Sequence, residues 1–406
     1  MKAGFDLHKV KQVRKWLLNK MDNDREISQR NKEFILKYDM NRQSKDLGPS
    51  GNVRSMNILI QFAKLLKVDF DIATKEDIIN AIALLKEKGY SPYTLSTRKA
   101  QVKTFYKWLK GVDDEYPPEV KWIKSNINKN DRIHISANQL ITEDDIKKVI
   151  PFCNHPRDKA FLSVLFETGA RIGEISSLQM MNIKFDDKGG ILSVEGKTGK
   201  RDVRIISSVP YLSTWLENHP YKNIPEAPVW TPNRYSTGPK VMSYDAFSKT
   251  ISRAFKRAGI DKRCNPHYFR HSRASYLANR LNEFQMDQYL GWVQGSNMPS
   301  TYIHMSSSQL DNSLLELNGI KMDKNSKESI LKPIKCPRCD TINSFDSKLC
   351  MKCGGALDIV TAIEYEDKLK KERETREKYD KMMNKLMEDP EILEVFKKKL
   401  SAINIE

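Results

Sequence analysis

The sequence has no uninterrupted apolar run near the ~20 residues that cross a bilayer. Its opening stretch, MKAGFDLHKVKQVRKWLLNK, breaks each short apolar run with a charge, so no secretory signal is visible. These two absences point to a soluble, cytoplasmic protein with no membrane partner. Internal repeats of about 20–50 residues are also missing, which removes repeat-array architectures. Acidic residues are in short supply: 52 Asp and Glu face 69 Lys and Arg, a formal net charge of +17. Cysteine is rarer still, at six. Cys153 and Cys264 stand alone and read as buried apolar fillers rather than reactive thiols.

What is present is enough for order. With 406 residues, 39% hydrophobic and including 36 Phe, Trp and Tyr, the chain has material for two or three cored domains and lacks the composition of a disordered one. The positive charge is unevenly spread. Residues 1–140 carry 27 basic and 17 acidic groups, residues 141–325 carry 25 and 19, and residues 326–406 carry 17 and 16. A surplus held on folded domains favours a polyanionic partner, above all nucleic acid.

Helical periodicity dominates. Residues 1–47 read as basic amphipathic helices ending near a turn at 46–51, and Met56, Leu59, Ile60, Ala63 and Leu66 repeat at helical spacing. Thr74 and Asp77 make an approximate capping box for a helix through Ile78, Ile82 and Leu85, which Gly89 stops. Ser91-Pro92 opens another, with Leu95, Val102, Phe105, Trp108 and Leu109 as its apolar stripe. Arg98, Lys99, Lys103 and Lys107 lie elsewhere on it and are candidate DNA-binding residues. Residues 111–140, rich in Pro, Asn and charge, read as a linker. A second helical start follows at 141–145, and residues 158–180 predict a helix pair hinged at Thr168-Gly169. ILSVEG at 191–196 and RDVRIIS at 201–207 bracket Lys197-Thr198-Gly199-Lys200, a β-hairpin signal. Helices return over 243–318.

Four islands in 141–325 carry chemistry-bearing side chains. They are Thr168-Gly-Ala-Arg171-Ile-Gly-Glu174, Glu195-Gly-Lys197-Thr-Gly-Lys200, Pro266-His267-Tyr-Phe-Arg270-His271, and Gly291-Trp292 followed by Tyr302-Ile-His304. Each has an ordinary structural explanation when taken alone. In this order and spacing they resemble the catalytic domain of the tyrosine recombinases, the phage-integrase family. The first island matches the family's Thr-Gly-x-Arg-x-x-Glu, and the second its hairpin lysine followed by a strand containing arginine. The third matches His-x-Leu-Arg-His with Phe269 replacing leucine, and the last matches Leu-Gly-His/Trp ending in Tyr-x-His. The likeness covers roughly 142–320; residues 50–125 resemble, more weakly, the family's helical core-binding domain. Trp292 to Tyr302 is ten positions, one longer than the family pattern, and the interval holds Gly295, Asn297 and Pro299.

The resemblance implies a site-specific DNA recombinase whose chemistry needs neither metal nor ATP. Attack on a phosphodiester gathers negative charge on two non-bridging oxygens, which planar, permanently protonated guanidinium groups stabilise well. Arg171 and Arg270 are the candidate clamp. The family pattern makes Tyr302 the nucleophile, joined to a 3′ phosphate, with His267 helping to remove the proton from a phenol of pKa ~10. It makes Lys197 the general acid for the departing 5′ oxygen, with Lys200 as rival and as a further DNA-binding candidate. Trp292 is expected to hydrogen-bond the phosphate, with Glu174 and His271 in support; Tyr276 and Tyr289 compete with Tyr302. The implied partner is double-stranded DNA, bound by a homotetramer on two sites that exchanges strands through a Holliday junction. Mobile-element integration, chromosome-dimer resolution, type IB topoisomerase chemistry and a catalytically inactive DNA-binding regulator are the functions to separate. The intact set of Arg171, Lys197, His267, Arg270 and Tyr302 opposes the last.

Beyond these islands, Cys336-x2-Cys339-x10-Cys350-x2-Cys353 reads as a zinc ribbon holding one structural ion, because four thiolates leave no open coordination position. Gly354-Gly355 is expected to let backbone approach sulfur closely. Placement after the tyrosine resembles integrases of archaeal elements. Residues 361–388 predict a long charged helix whose stretch 370–378 breaks any coiled-coil seam, and Pro390 opens a short amphipathic one. Residues 307–320 sit where family members exchange a helix between protomers. The expected fold is mainly α with a small antiparallel β-sheet (α+β). It divides into an N-terminal core-binding DNA-binding domain (1–130), a catalytic domain (141–325), the ribbon (332–357) and a charged helical tail (358–406).

Overall fold

Capping chemistry sets many of the element boundaries in the computed structural model, which describes residues 9–45, 47–128, 131, 137–196, 198–232, 238–278, 280–296, 298–299, 302, 318 and 329–400. The chain divides into two compact units, Met1–Leu140 with Trp230–Ser252, and Ile141–Val229 with Arg253–Glu406.

The first unit contains α1 (Val10–Asp22), α2 (Gln29–Ser44), α3 (Pro49–Leu66), α4 (Lys75–Glu87), α5 (Pro92–Leu109) and the short α6 (Pro118–Lys121). Ser28 caps α2 by accepting from the Asn31 N–H, and the Thr74–Asp77 capping box closes in both directions. Pro49 occupies the first turn of α3, where a missing N–H leaves no bond unmade. The expected turn at 46–51 therefore opens a helix as well as ending one. Ile35, Tyr38, Leu59, Phe62, Phe70, Ile82, Phe105 and Tyr106 share one core. Val120 and Ile123 are buried in that same core, so the expected linker is, over this part, packed structure. Its polar composition concealed two apolar anchors.

In the second unit, α7 (Glu143–Val149) starts on a Thr142–Asp145 capping box, and α8 (Pro156–Thr168) leads through Gly169 to α9 (Ile172–Ser176). Gly169 has φ +56, and a Cβ there would lie 2.6 Å from the Arg273 Cβ. The expected hairpin is present as β2 (Gly189–Gly196) and β3 (Gly199–Ile205), with Glu195 opposite Lys200. A strand the sequence reading missed, β1 (Ile183–Asp186), completes an antiparallel sheet of order β1-β2-β3. Leu192, Val194, Val203 and Ile205 supply its buried face at the two-residue period of strands. This unit also holds α10 (Val209–Glu217), while α11 (Tyr244–Arg257) begins in the residues of the first unit and ends in those of the second, and α12 (Pro266–Ala278) and α13 (Glu283–Leu290) follow in the second. Glu167, at the end of α8, accepts from the N–H groups of Ile206, Ser207 and Ser208 and from the Ser208 hydroxyl, tying α8 to the start of α10.

The cysteine segment contains β4 (Ile334–Lys335) and β5 (Ile342–Asn343), and α14 (Ile359–Met387) and α15 (Pro390–Leu400) follow. Tyr211 of α10 donates to Asp346 at 2.5 Å, and its ring lies 6.4 Å from Phe345, which fastens this segment to α10. Ile363, Leu369, Tyr379, Met383 and Leu386 are all exposed along α14. Apart from Asn318, the expected exchange segment 307–320 lies outside the described residues. No helix among the described residues is long and apolar enough to cross a membrane. Mostly helical, with small antiparallel sheets, the chain has the expected fold class.

Candidate active site

The islands meet at the last turn of α13. Gly291 ends that helix at φ +64. A helix C-terminus leaves carbonyls without intrahelical donors and carries partial negative charge. Three arginines use those carbonyls, one from the first island, one from the third and one from the strand that follows the second. Arg201 Nε donates to Tyr289 O at 2.9 Å, Arg270 Nη2 to Leu290 O at 2.7 Å, and Arg171 Nη1 to Gly291 O at 2.9 Å. The Thr198 hydroxyl donates to the same Gly291 oxygen at 3.0 Å.

Glu174 is the counter-charge. Only 2% exposed, it accepts from the Arg171 N–H at 2.9 Å, Arg171 Nη1 at 3.0 Å and Arg201 Nη2 at 2.8 Å. Burial by itself would raise its carboxyl pKa, but the bonds and charges of Arg201 and Arg171 hold it below the ordinary 4.5. Gly196 makes room for it: a Cβ there would sit 2.2 Å from Glu174 Oε1. An ionised carboxylate shared by two guanidinium groups orients them and has no free basic function.

Arg270 is buried and also donates to Gly169 O at 3.1 Å. Burial, then the neighbouring Arg171 charge, brings its pKa down to about 10. Positive charge thus exceeds what Glu174 and the helix end supply in return, a setting that a phosphate diester completes. Tyr302 stacks on Trp292 with centroids 5.6 Å apart and planes 9° apart, and its hydroxyl lies 2.5 Å from His271 Nδ1. Burial raises the Tyr302 pKa against the opposing charge of Arg270. Burial, His267 and Arg270 lower that of His271. The pair at neutral pH is a neutral phenol and a neutral imidazole.

His267 is exposed at the first turn of α12, and His271, one turn further along, reaches the Tyr302 hydroxyl. Trp292 packs on the tyrosine ring. Between Trp292 and Tyr302, Gly295 takes φ +74 and the Tyr302 N–H donates to Pro299 O. The rival tyrosines are held elsewhere: Tyr276 lies against the guanidinium groups of Arg273 and Arg280, and the Tyr289 hydroxyl donates to Glu167 O. Lys197 and His304 lie outside the described residues. Lys200 is exposed, 3.9 Å from the Glu195 carboxylate. Sequence reasoning missed Thr198 and treated Arg201 only as a strand residue.

Residues 139–309, which hold this whole cluster, match the model of the phage integrase family. This segment resembles the phage integrase domain of tyrosine recombinases. Tyrosine recombinase XerA of Pyrococcus horikoshii is 27% identical over 237 residues, covering 57% of this chain and 75% of that protein. In fold, the chain resembles the Tn1549 transposon integrase in complex with a circular intermediate DNA, with TM-score 0.54 and 17% identity over 71% of this chain and 100% of that one. It also resembles a lambda integrase tetramer bound to a Holliday junction, with TM-score 0.51 and 15% identity over 65% of this chain and 77% of that one.

Outside the integrase domain, the structure redistributes the candidate DNA-binding residues of α5. Arg98 is buried, donates to Gln61 Oε1 at 2.8 Å and lies 4.1 Å from the Tyr90 ring, so it serves packing rather than a groove-facing surface. Its place between two apolar positions on the helix, Leu95 and Val102, explains the burial. Lys99 is half-buried, and burial followed by the Lys86 charge lowers its pKa. Lys103 and Lys107 sit 4.1 and 5.6 Å from the Tyr116 ring.

The cysteines that follow the integrase domain converge. The sulfurs of Cys336, Cys339, Cys350 and Cys353 all lie within 4.8 Å of one another, with Cys336–Cys353 at 3.7 Å and Cys339–Cys350 at 3.6 Å. A tetrahedron with metal–sulfur bonds of ~2.3 Å has edges of roughly 3.8 Å, so this cage fits one four-thiolate metal ion. Gly354 is favoured by its φ of +68 rather than by space, since a Cβ there would meet nothing within 4 Å; one at Gly355 would make only ordinary contact with Cys353 Sγ. Asp340 takes the equivalent place after Cys339, at φ +59. Asp340→Gly is expected to stabilise the segment by about 0.5–1 kcal/mol by relieving left-handed strain, seen as slower metal release to a chelator. Faster release would mean that the exposed Lys335–Asp340 pair outweighs the strain.

Proposed function

We propose that this tyrosine recombinase cleaves and rejoins duplex DNA at specific sites through a covalent 3′-phosphotyrosyl intermediate. The convergence of Arg171, Arg270 and the Tyr302–His271 pair on the last turn of α13 carries the reading. A phosphodiester set there receives guanidinium N–H groups on its non-bridging oxygens, where charge grows as the tyrosine attacks. The Tyr302 oxygen bonds to phosphorus, the bond from phosphorus to O5′ breaks, and the phenolic proton passes to His271 Nδ1. His271 suits this because its lowered pKa leaves the imidazole neutral at neutral pH. The departing O5′ takes a proton from Lys197, a role that rests on the sequence pattern. His267 approaches the phosphate from the exposed side, Trp292 supports the tyrosine ring, and Glu174 sets Arg171. Because the phosphotyrosyl bond keeps the energy of the diester, rejoining needs no ATP, and these side chains supply both the charge and the proton transfers.

Zinc is the ion assigned to the four cysteines; when bound it closes the ribbon and has no place in cleavage. Double-stranded DNA is the partner, held by the basic first and second segments of the sequence, and a tetramer on two sites is the proposed assembly, acting in the cytoplasm. The ribbon and tail beyond the integrase domain favour service to a mobile element, while the likeness to XerA keeps chromosome-dimer resolution as the second reading. A pool of duplexes, each nicked close to the cleavage position so that the broken end is lost, tests the chemistry. The wild-type protein should form a covalent DNA adduct in EDTA. Adduct formation only after metal is added back would overturn the metal-free mechanism.

A further inference from the structure

We propose that Thr198 and Arg201 are positioning residues that fasten the turn of the β2–β3 hairpin to the same helix end that holds the phosphate arginines. The inference rests on the recombinase reading above. The hairpin turn is flanked by two anchors. On one side, the Thr198 hydroxyl donates to Gly291 O at 3.0 Å. On the other, Arg201 donates through Nε to Tyr289 O at 2.9 Å and through Nη2 to Glu174 at 2.8 Å. Arg201 is 10% exposed at its side chain, deep for a charged group on a short strand. The fit is close: a Cβ on Gly291 would lie 2.5 Å from Arg201 Nη1. The neighbouring basic residues of the hairpin are placed differently. Lys200 is exposed, and Arg204 pairs with Asp186 on an exposed part of the sheet.

These anchors share their acceptors with the clamp. Gly291 O serves both Thr198 and Arg171, Glu174 serves both Arg201 and Arg171, and Leu290 O between them serves Arg270. One helix end therefore sets the register of three parts: the arginine that faces one phosphate oxygen, its partner arginine, and the turn whose lysine protonates the leaving oxygen. Thr198 and Arg201 need touch no reacting atom to matter; they hold the hairpin on the far side of its turn, next in sequence to the residue that the sequence pattern makes the proton donor. Misplacement of a proton donor costs the leaving step and spares the attack.

A substrate in which the bridging O5′ is replaced by sulfur separates these effects, because a thiolate departs without a proton. Thr198→Val removes one hydroxyl at nearly constant shape, and Arg201→Gln removes the charge and one anchor. On the natural diester, single-turnover adduct formation should fall roughly tenfold for Thr198→Val and roughly 10²-fold for Arg201→Gln, within the range of general acid catalysis. On the sulfur substrate both should recover to within about threefold of wild type, as Lys197→Ala does. Arg204→Gln should match wild type on both. Rescue also shows that the variants are folded, since a collapsed site cannot be repaired by a better leaving group. Equal defects on the two substrates, or no defect on either, would overturn the inference. Failure of the wild-type protein to form an adduct would instead overturn the recombinase reading, and this inference with it.

Discussion

Arg270→Met is expected to lower single-turnover DNA cleavage by roughly 10³-fold, the upper end for loss of a preorganised charge-stabilising donor, while folding stability changes by less than about 2 kcal/mol. The two effects separate because the guanidinium is poorly matched until phosphate arrives. Burial and the Arg171 charge bring its pKa down to about 10. Removing it relieves that repulsion and leaves the Gly169 and Leu290 carbonyls without their donors, so the terms oppose one another. In the transition state nothing opposes the loss. Single-turnover rates and thermal melting measure the two sides; a variant that kept its rate within tenfold of wild type would remove Arg270 from the clamp.

Glu174→Ala should have the reverse emphasis. Its carboxylate is shared between Arg171 and Arg201 in a buried setting, and deleting one member of such a group leaves uncompensated charge, a cost of about 3–5 kcal/mol. The pH dependence has a defined sign. The carboxyl pKa is depressed in the folded protein, so its contribution is complete above the ordinary value of 4.5 and is lost as pH falls through the lower folded value. Acid unfolding of the wild type should steepen below pH 4.5, and the alanine variant should lack that component. A stability loss under about 1 kcal/mol in urea titration would show that Glu174 is not the shared counter-charge.

Much of this site was legible because local chemistry writes itself into sequence. Capping residues announced α4, a helical start was legible at 141–145, glycine in a turn announced the hairpin, and the resemblance to the tyrosine recombinases, carried by the order and spacing of the four islands, implied the cluster. The misreadings have a common origin. Main-chain carbonyls have no sequence signature, so the convergence of Thr198, Arg171, Arg201 and Arg270 on the end of α13 was invisible. The choice between His267 and His271 turns on one helical turn, which spacing alone does not orient. Arg98 and the Val120–Ile123 segment were misjudged because charge and proline mark surface on average, while a single buried side chain follows the packing around it.

The identity of the covalently linked residue tests the central claim most directly. After trapping on a nicked duplex, proteolysis and mass analysis of the DNA-bound peptide should place the phosphate on Tyr302, and Tyr302→Phe should yield no adduct. A phosphate carried by Tyr276, Tyr289 or any other residue, or an undiminished adduct in the phenylalanine variant, would contradict the assignment of Tyr302 as nucleophile.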